Sequence, residues 1–286
     1  MIAGVAYTVL LMPLDVLAEV VSNAPLAPDY NVLTLAAPAI AERAEPGQFV
    51  MIKTAAGLDP LLRRPFSIFE HVRDSRGHLR GISVLNKRAG AGTALLYQAR
   101  PGDRLAVLGP LGRPFVAVHP PGEAWMVAGG VGLAPFASVA EALAQRGTAM
   151  TLFYGGRSAR DLYYESFFER LGARLVLTTE DGSRGERGRV TVPLTRELAA
   201  RATSAPLTIY ACGPTPMMRA VADIGAAAGC RVHVSLEPVM GCGMGGCYSC
   251  VVPVRHGTAS HFVRSCVDGP VFDASTLDWD RMGAGH

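Results

Sequence analysis

Two rhythms divide the chain. From Ala18 to about Val118 the apolar positions fall in short runs separated by turn residues. The runs Ala18–Ser22, Val32–Ala36, Gln48–Lys53, Pro65–His71, Gly81–Asn86 and Arg104–Leu108 read as strands, and Pro46-Gly47 and Pro101-Gly102 mark turns just before two of them. Six short strands at this spacing predict a six-stranded antiparallel β-barrel over 18–119, with helical periodicity only near Ala91–Ala99. After Pro120-Pro121-Gly122 the pattern changes. Apolar runs at Trp125–Ala128, Thr151–Tyr154, Arg174–Thr178, Leu207–Ala211 and Arg231–Leu236 suit buried parallel strands, and helical stretches fill the gaps. Phe136, Val139 and Leu143 form one helical stripe, closed by Gly147. Met217, Val221 and Ile224 form another, with Thr215-Pro216 before it and Gly229 after. This alternation predicts a doubly wound parallel α/β domain over 122–236, with ligands at the carboxyl ends of its strands. A small Cys-rich segment over 237–274 follows, then a tail over 275–286. The apolar stretch at 1–17 is read as an N-terminal extension. It has no basic flank and is too short to span a bilayer, so an extra strand or an artefact of start-site choice is expected rather than a signal peptide.

The Cys-rich segment carries the sharpest chemistry. Cys242, Cys247 and Cys250 stand in a C-x4-C-x2-C pattern, and Cys266 lies sixteen positions after the third. Four thiolates so spaced suit a [2Fe–2S] cluster, and the first three match the plant-type ferredoxin loop. Gly241, Gly243, Gly245 and Gly246 are expected to let the backbone take positive φ and turn amides toward the sulfurs. Zinc is the competitor, since four cysteines also close a tetrahedral site, although structural zinc more often takes two paired knuckles.

Composition narrows the class. The 286 residues are 49% hydrophobic and 18% charged, with a net charge of only +3, which describes a globular protein with no surface for nucleic acid. With four of the six cysteines gathered as ligands, no disulfide framework is implied and a reducing cytoplasm is expected. Cys230 reads as a small buried residue.

Weaker signals lie in the two domains. Arg63-Arg64-Pro65-Phe66-Ser67 sets a guanidinium beside a strand start, where it can meet a phosphate, with a hydroxyl three positions on. Leu85-Asn86-Lys87 ends a strand, and the Gly90-Ala91-Gly92-Thr93 turn opens a helix whose first amides suit a pyrophosphate. In the second domain Gly129, Gly130 and Gly132 join the first strand to its helix, and Cys212-Gly213-Pro214 caps the fourth strand, where a thiol and bare backbone can line a flat ring. The ordinary G-x-G-x-x-G is absent, as is an acid about twenty positions on. Asp181-Gly182-Ser183 is a turn that either touches a ribose or only reverses the chain. Arg157 and Arg160 can meet a 2′-phosphate, but Asp161 beside them argues for NAD.

In order, Arg-Pro-Phe-Ser, Gly-x-Gly-Thr, Gly-Gly-Val-Gly-Leu-Ala-Pro and Cys-Gly-Pro resemble the ferredoxin–NADP reductase superfamily. The segment from Leu236-Glu237-Pro238 to Cys250, with Cys266-Val267-Asp268-Gly269-Pro270-Val271-Phe272, resembles the electron-transfer subunits of NAD-linked dihydroorotate dehydrogenases. The resemblance covers about Ala18 to Ala274. It implies FAD on the barrel, with Arg64 on the pyrophosphate, Ser67 near the isoalloxazine, Pro65, Phe66, Leu85, Asn86 and Lys87 around the flavin, and Gly92-Thr93 at its phosphates. It implies NAD at Gly129, Gly130, Gly132, Cys212, Gly213 and Pro214, with Ser67 and Cys212 the candidates nearest the reacting rings, and a [2Fe–2S] cluster on the four cysteines. Glu237 is expected to be structural. The three pieces consume the chain, so oxidation of dihydroorotate is expected to fall to an FMN-containing partner in a hetero-oligomer, expected to be a heterotetramer, serving pyrimidine biosynthesis. Other readings are a like subunit for a sulfide dehydrogenase, hydrogenase or bifurcating transhydrogenase, or a redox-sensing module.

Overall fold

A computed structural model of the chain describes residues 12–55, 57–257 and 259–283. Most of the apolar leader, 1–11, lies outside the described residues. The barrel comprises β1 (Leu14–Ala27), β2 (Tyr30–Ala36), a short helix α1 (Pro38–Ala41), β3 (Phe49–Ile52), β4 (Arg64–Arg73), β5 (Leu79–Lys87), helix α2 (Ala91–Gln98) and β6 (Arg104–Leu111). Its strands close in the order β1-β2-β5-β4-β3-β6, every pair antiparallel. Alternate residues such as Leu33, Leu35, Val50, Ile68 and Val84 fill the interior, while Ile40 of α1 and Leu96 of α2 pack against them. The first strand begins at Leu14, not Ala18, because Leu14 through Glu19 pair with Gly109 through Arg104. Residues 14–17, read from the sequence as extension, are barrel.

The second layer system holds β7 (Glu123–Gly129), α3 (Phe136–Gln145), β8 (Met150–Gly156), α4 (Glu165–Arg170), β9 (Arg174–Thr179), β10 (Glu186–Arg187), α5 (Thr191–Ala200), β11 (Leu207–Cys212), α6 (Thr215–Ala227) and β12 (Arg231–Ser235). The Cys-rich segment contributes β13 (Val251–His256), β14 (Ala259–Arg264), the turn of helix α7 (Ser265–Asp268) and β15 (Val271–Asp273). The sheet order is β10-β9-β8-β7-β11-β12-β15. The chain leaves β7 in one direction for β8 and β9, then crosses back to β11 and β12, so the crevice opens between β7 and β11. The parallel strands carry one antiparallel edge, β15, which pairs with β12 through His233↔Asp273 to Ser235↔Val271. That edge comes from the Cys-rich segment, which is therefore sewn into the α/β sheet.

Two contacts fix the barrel against this sheet. One apolar cluster runs continuously from Tyr30, Phe69 and Leu85 of the barrel to Phe136, Tyr154 and Tyr210 of the α/β domain. Beside it, Tyr164 Oη donates to Glu70 Oε2 at 3.0 Å, and its ring lies 4.7 Å from that of Phe69. The linker is tied down as well: Tyr210 Oη donates to the Val116 carbonyl at 2.7 Å, Thr148 Oγ1 to that of Val118 at 2.9 Å, and Arg146 to that of Ala117. The tail also packs. Leu277, Asp278 and Met282 are buried, and Arg255 on β13 bonds Asp278 and Asp280 at 2.9 Å each. Asp280 in turn meets Arg219 of α6 at 2.6 Å.

Candidate functional site

Three groups of residues converge where barrel, sheet and Cys-rich segment meet. The first is a cavity of about 260 Å³ walled by Phe49, Pro65, Phe66, Ser67, Leu85 and Lys87 from the barrel. Val131, Ala134, Leu236, Glu237, Pro238, Met240 and Pro270 close it from the other two parts. Pro65 through Ser67 pair with Met51 through Phe49 on β3, and this register turns Ser67 toward the opening. A largely apolar slot with the Ser67 and Ser235 hydroxyls, the Lys87 amine and the Glu237 carboxyl on its walls suits an isoalloxazine.

The second group lies at the start of α2. A Cβ on Gly92 would come within 3.3 Å of both Arg64 Nε and Thr54 Oγ1, so bare backbone there lets the guanidinium and the helix start meet. Arg63 is not part of this group. It forms a bidentate pair with Asp15, at 2.8 to 3.0 Å, worth about 0–1 kcal/mol at the surface and serving mainly to point it away. Thr93 Oγ1 accepts from the Ala89 and Gly90 amides at 2.8 and 2.9 Å, which shapes the helix entry. Asn86 is fully buried. Its Nδ2 donates to Asn31 Oδ1 at 2.8 Å and the Thr93 carbonyl at 3.0 Å, and so anchors α2 from beneath. Buried Thr54 Oγ1 and Asn86 Oδ1 find no partner among the described residues. Leaving such a group unpaired costs about 1–3 kcal/mol, so a polar ligand at this point fits the donor set. Thr54 has no sequence signal. Only its place beside Gly92 singles it out.

The third group is the crevice at the strand ends, a cavity of about 550 Å³. Gly129, Gly130, Gly213 and Pro214 line it, opposite Gly155, Gly156, Glu180 and Arg189. Gly130 has φ +55 and open space where a Cβ would stand, as a backbone that receives a ligand requires. Gly132 does not line the cavity. A Cβ there would overlap the Cys212 carbonyl, so its role is to let the loop lie on β11. The loop Gly130–Leu133 is itself a 3-10 turn, and α3 starts only at Phe136. Asp161 is buried and accepts from the Arg157 and Ser158 amides at 3.1 and 3.3 Å, with Arg157 Nε 3.5 Å away. It is therefore spent on its own turn. The Glu180 carboxylate, by contrast, makes no hydrogen bond or ion pair among the described residues. Asp181 bonds Ser183, whose Oγ accepts from the Ala159 amide at 2.8 Å, so that turn reverses the chain and braces β8.

Lys87, Val131 and Glu237 line both cavities, which therefore meet at these residues. Glu237 lies deep between the parts yet is exposed, its open surface facing the two cavities. Burial pushes its carboxyl above the usual range, partly offset by Cys212, whose Sγ lies 3.7 Å from Glu237 Oε1. Burial, and then the charge of Glu237, raise the Cys212 thiol well above its ordinary value. A thiol and an acid both held toward their neutral forms thus meet here, the acid at the junction and the thiol buried behind it, lining neither cavity. Glu237, expected to be structural, occupies the most central position of the site. Sequence position alone gave no sign of it, because β12 carries it there from another domain wall.

The four cysteines gather beyond Met240. Cys250 and Cys266 are buried against Phe49, Met51, Leu108, Leu111 and Met240, whereas Cys242 is half-buried and Cys247 exposed. The thiols bond two and two, Cys247 with Cys242 and Cys266 with Cys250, and the charge of Cys242 also reaches Cys266. Among the described residues no three His, Cys, Asp or Glu side chains converge as they would on a single ion. Two pairs of thiols suit a two-iron cluster, with two thiolates to each iron. Hydrogen bonding from Ser249, then from Cys242, holds the Cys247 thiol down to about 6, and burial pushes Cys266 up to about 12. The Met244 amide donates to Cys242 Sγ at 3.4 Å. Of the four glycines expected at positive φ, Gly243 and Gly245 take it, at +75 and +79. Gly241 and Gly246 do not, and Tyr248 turns at +59 in their place. Gly243 approaches Met51 so closely that a Cβ would lie 2.6 Å from its Cγ, which seats the loop on the barrel. Cys230, read as buried, is only half-buried.

Comparison with known proteins gives these groups a context. Residues 126–223 match an oxidoreductase NAD-binding domain, and residues 237–278 match the iron-sulfur cluster binding domain of dihydroorotate dehydrogenase B. The electron transfer subunit of dihydroorotate dehydrogenase B (NAD(+)) from Desulforamulus reducens is 37% identical over 263 residues, covering 92% of this chain and 98% of that one. The subunit of the same name from Geobacillus kaustophilus is 40% identical over 86% of this chain and 91% of its own. Among solved structures, an NADH-dependent reduced ferredoxin–NADP oxidoreductase, a flavin-based electron-bifurcating enzyme, aligns with a TM-score of 0.79 at 30% identity, over 93% of this chain and 91% of that one. The ferredoxin reductase of carbazole 1,9a-dioxygenase shares the fold, with a TM-score of 0.64 at 22% identity over 79% of this chain and 70% of that one.

Proposed function

Because the chain belongs to the family of dihydroorotate dehydrogenase B electron-transfer subunits, we propose that it links a dihydroorotate-oxidising catalytic subunit to NAD+ in cytoplasmic pyrimidine biosynthesis. The net reaction is dihydroorotate + NAD+ → orotate + NADH + H+. NAD takes a hydride, a [2Fe–2S] cluster passes single electrons, and FAD between them exchanges both.

The observation that carries this reading is the polarity of the four-thiol loop. Its inner pair, Cys250 and Cys266, packs on Phe49 and Met240, which wall the flavin-sized cavity, while its outer edge at Cys247 lies open. A carrier held there has one side toward the flavin and one side toward a partner. Met244, Tyr248 and Val239 are exposed around that edge, at 59, 63 and 74%, and form the surface over which an FMN-containing catalytic subunit docks, two copies of each chain making the heterotetramer.

Within the chain each group has its task. Arg64, Gly92 and the first amides of α2 hold the flavin pyrophosphate, with Thr54 and Thr93 beside them. Pro65, Phe66 and Leu85 sandwich the ring system, and Ser67 meets its edge. Gly129, Gly130, Gly213 and Pro214 receive the nicotinamide end of NAD. Lys87 stands where the two cofactors meet. Glu237 orients the nicotinamide against the flavin, and Cys212, buried behind it, positions the Glu237 carboxyl. Glu180 favours NAD, since a free carboxylate in the crevice accepts from ribose hydroxyls and repels a 2′-phosphate. No described helix is long and apolar enough to cross a membrane.

The purified chain alone is expected to show flavin and iron–sulfur absorbance together and to reduce dyes with NADH, without forming orotate. Orotate formation without a second polypeptide would overturn the division of labour. The likeness to the bifurcating oxidoreductase favours one other reading, the same converter docked on a different partner, and co-purification from native extract separates the two.

A further inference from the structure

Ser249 stands between the second and third cysteines, an exposed residue whose hydroxyl meets both backbone and thiol. Its Oγ accepts from the Gly241 amide at 2.8 Å and lies 3.2 Å from Cys247 Sγ. A hydroxyl has one proton and two lone pairs, an amide N–H can only donate, and a thiolate can only accept. With the amide on a lone pair and Cys247 as a ligand thiolate, the contact between oxygen and sulfur is made by the serine proton. The backbone holds this arrangement from behind. A Cβ on Gly241 would come within 3.1 Å of Cys247 Sγ and 3.3 Å of Ser249 Oγ, so glycine there lets the strand lie against both.

We infer that Ser249 sets the reduction potential of the cluster through this hydrogen bond. The inference rests on the reading of the four cysteines as its ligands. Taking up one electron adds one negative charge to the iron, sulfide and thiolate unit. A hydrogen bond donated to a ligand sulfur stabilises that added charge more than the oxidised state, which raises the potential. Ser249 acts on the exposed outer pair, while the inner pair packs among Phe49, Met51, Leu108 and Leu111, where the Gly245 amide bonds Cys266. The serine hydroxyl is thus a side-chain donor to the half of the cluster left open to a partner.

The test is EPR-monitored potentiometry on the chain purified in complex with its catalytic subunit, with iron and sulfide content measured in parallel. Ser249→Ala is expected to lower the midpoint potential and shift the oxidised-to-reduced ratio at fixed potential about tenfold, ~59 mV for one electron. Ser249→Gly, which removes the hydroxyl without placing a methyl beside the sulfur, is expected to do the same. Ser249→Thr keeps the hydroxyl and is expected to restore the wild-type value. Either deletion variant with full iron and sulfide and an unchanged midpoint overturns the inference while the ligand assignment stands. Wild-type protein free of iron and sulfide overturns the assignment itself, and the inference with it.

Discussion

The four-thiol loop and the nucleotide crevice are built on opposite plans. The loop carries its chemistry in side chains. Its glycines mostly face other side chains, Gly243 against Met51 and Gly245 against Val267, or open space at Gly246. The crevice carries its chemistry in backbone. Gly129 and Gly213 lie against each other and against Met217, and Gly132 lies on the carbonyl of Cys212, so two strand ends from distant parts of the chain press together with no side chain between them. Side chains can give way by a few tenths of an ångström, whereas hydrogen-bonded strand ends cannot. The loop should therefore tolerate change where it faces open space, as at Gly246, and the crevice should resist change even where nothing touches a cofactor.

The largest effect expected is at a ligand. Cys266→Ser should abolish NAD+-linked orotate formation by the complex and the iron–sulfur EPR signal, while NADH-driven flavin reduction in the same preparation persists. Loss of both half-reactions together would show that the two regions are not separable. A direct contrast of glycines comes next. Gly132→Ala should cost about 1–3 kcal/mol in urea denaturation by overpacking, whereas Gly246→Ala should stay within about 0.5 kcal/mol. Equal losses at the two positions would erase the distinction between backbone-built and side-chain-built regions.

The smallest effect concerns how the crevice is held to the barrel. Burial pushes the Glu70 carboxyl above 4.5, against hydrogen bonds from Ser83 and Tyr164 that pull it down. Glu141 nearby raises it further, and Arg170 opposes. The folded chain thus binds this proton more tightly than the unfolded one. The contribution to stability is complete below about 4.5 and fades as pH rises through the folded value. Relative to Glu70→Gln, the wild type should lose stability over that rise, read from urea midpoints across a pH series, with the iron content of both unchanged. A wild type that gained on the variant instead would reverse the sign and remove Glu70 from this role.

How much of this was legible beforehand differs by region for a physical reason. The clustered cysteines and the Arg64-to-Ser67 strand could be read directly, because spacing along a short stretch constrains them. Gly132 was legible as a glycine but not in its role, since what excludes a side chain there is the Cys212 carbonyl, eighty positions away. Asp161 drew notice beside Arg157 and Arg160 as an argument for NAD, yet its carboxylate is consumed by the Arg157 and Ser158 amides, and Glu180 is the crevice acid whose carboxylate makes no hydrogen bond among the described residues. The hydrogen-bond inventory of a folded turn decides that, and residue type does not. Tail residues such as Leu277 and Met282 showed no motif because their task, packing against the second face of the sheet, has none.

By itself the amino-acid sequence determined the alternation of strands and helices, the order of barrel, α/β domain and Cys-rich segment, and the identity of the four thiols. All of these depend on periodicity or spacing within a few residues, where backbone geometry leaves few options. Only the tertiary structure decided that Glu237 stands at the meeting of two cavities, that β15 joins the Cys-rich segment to the nucleotide sheet, and that one pair of thiols faces inward and the other outward. Burial is set by which distant surfaces come together, and no local pattern carries that information.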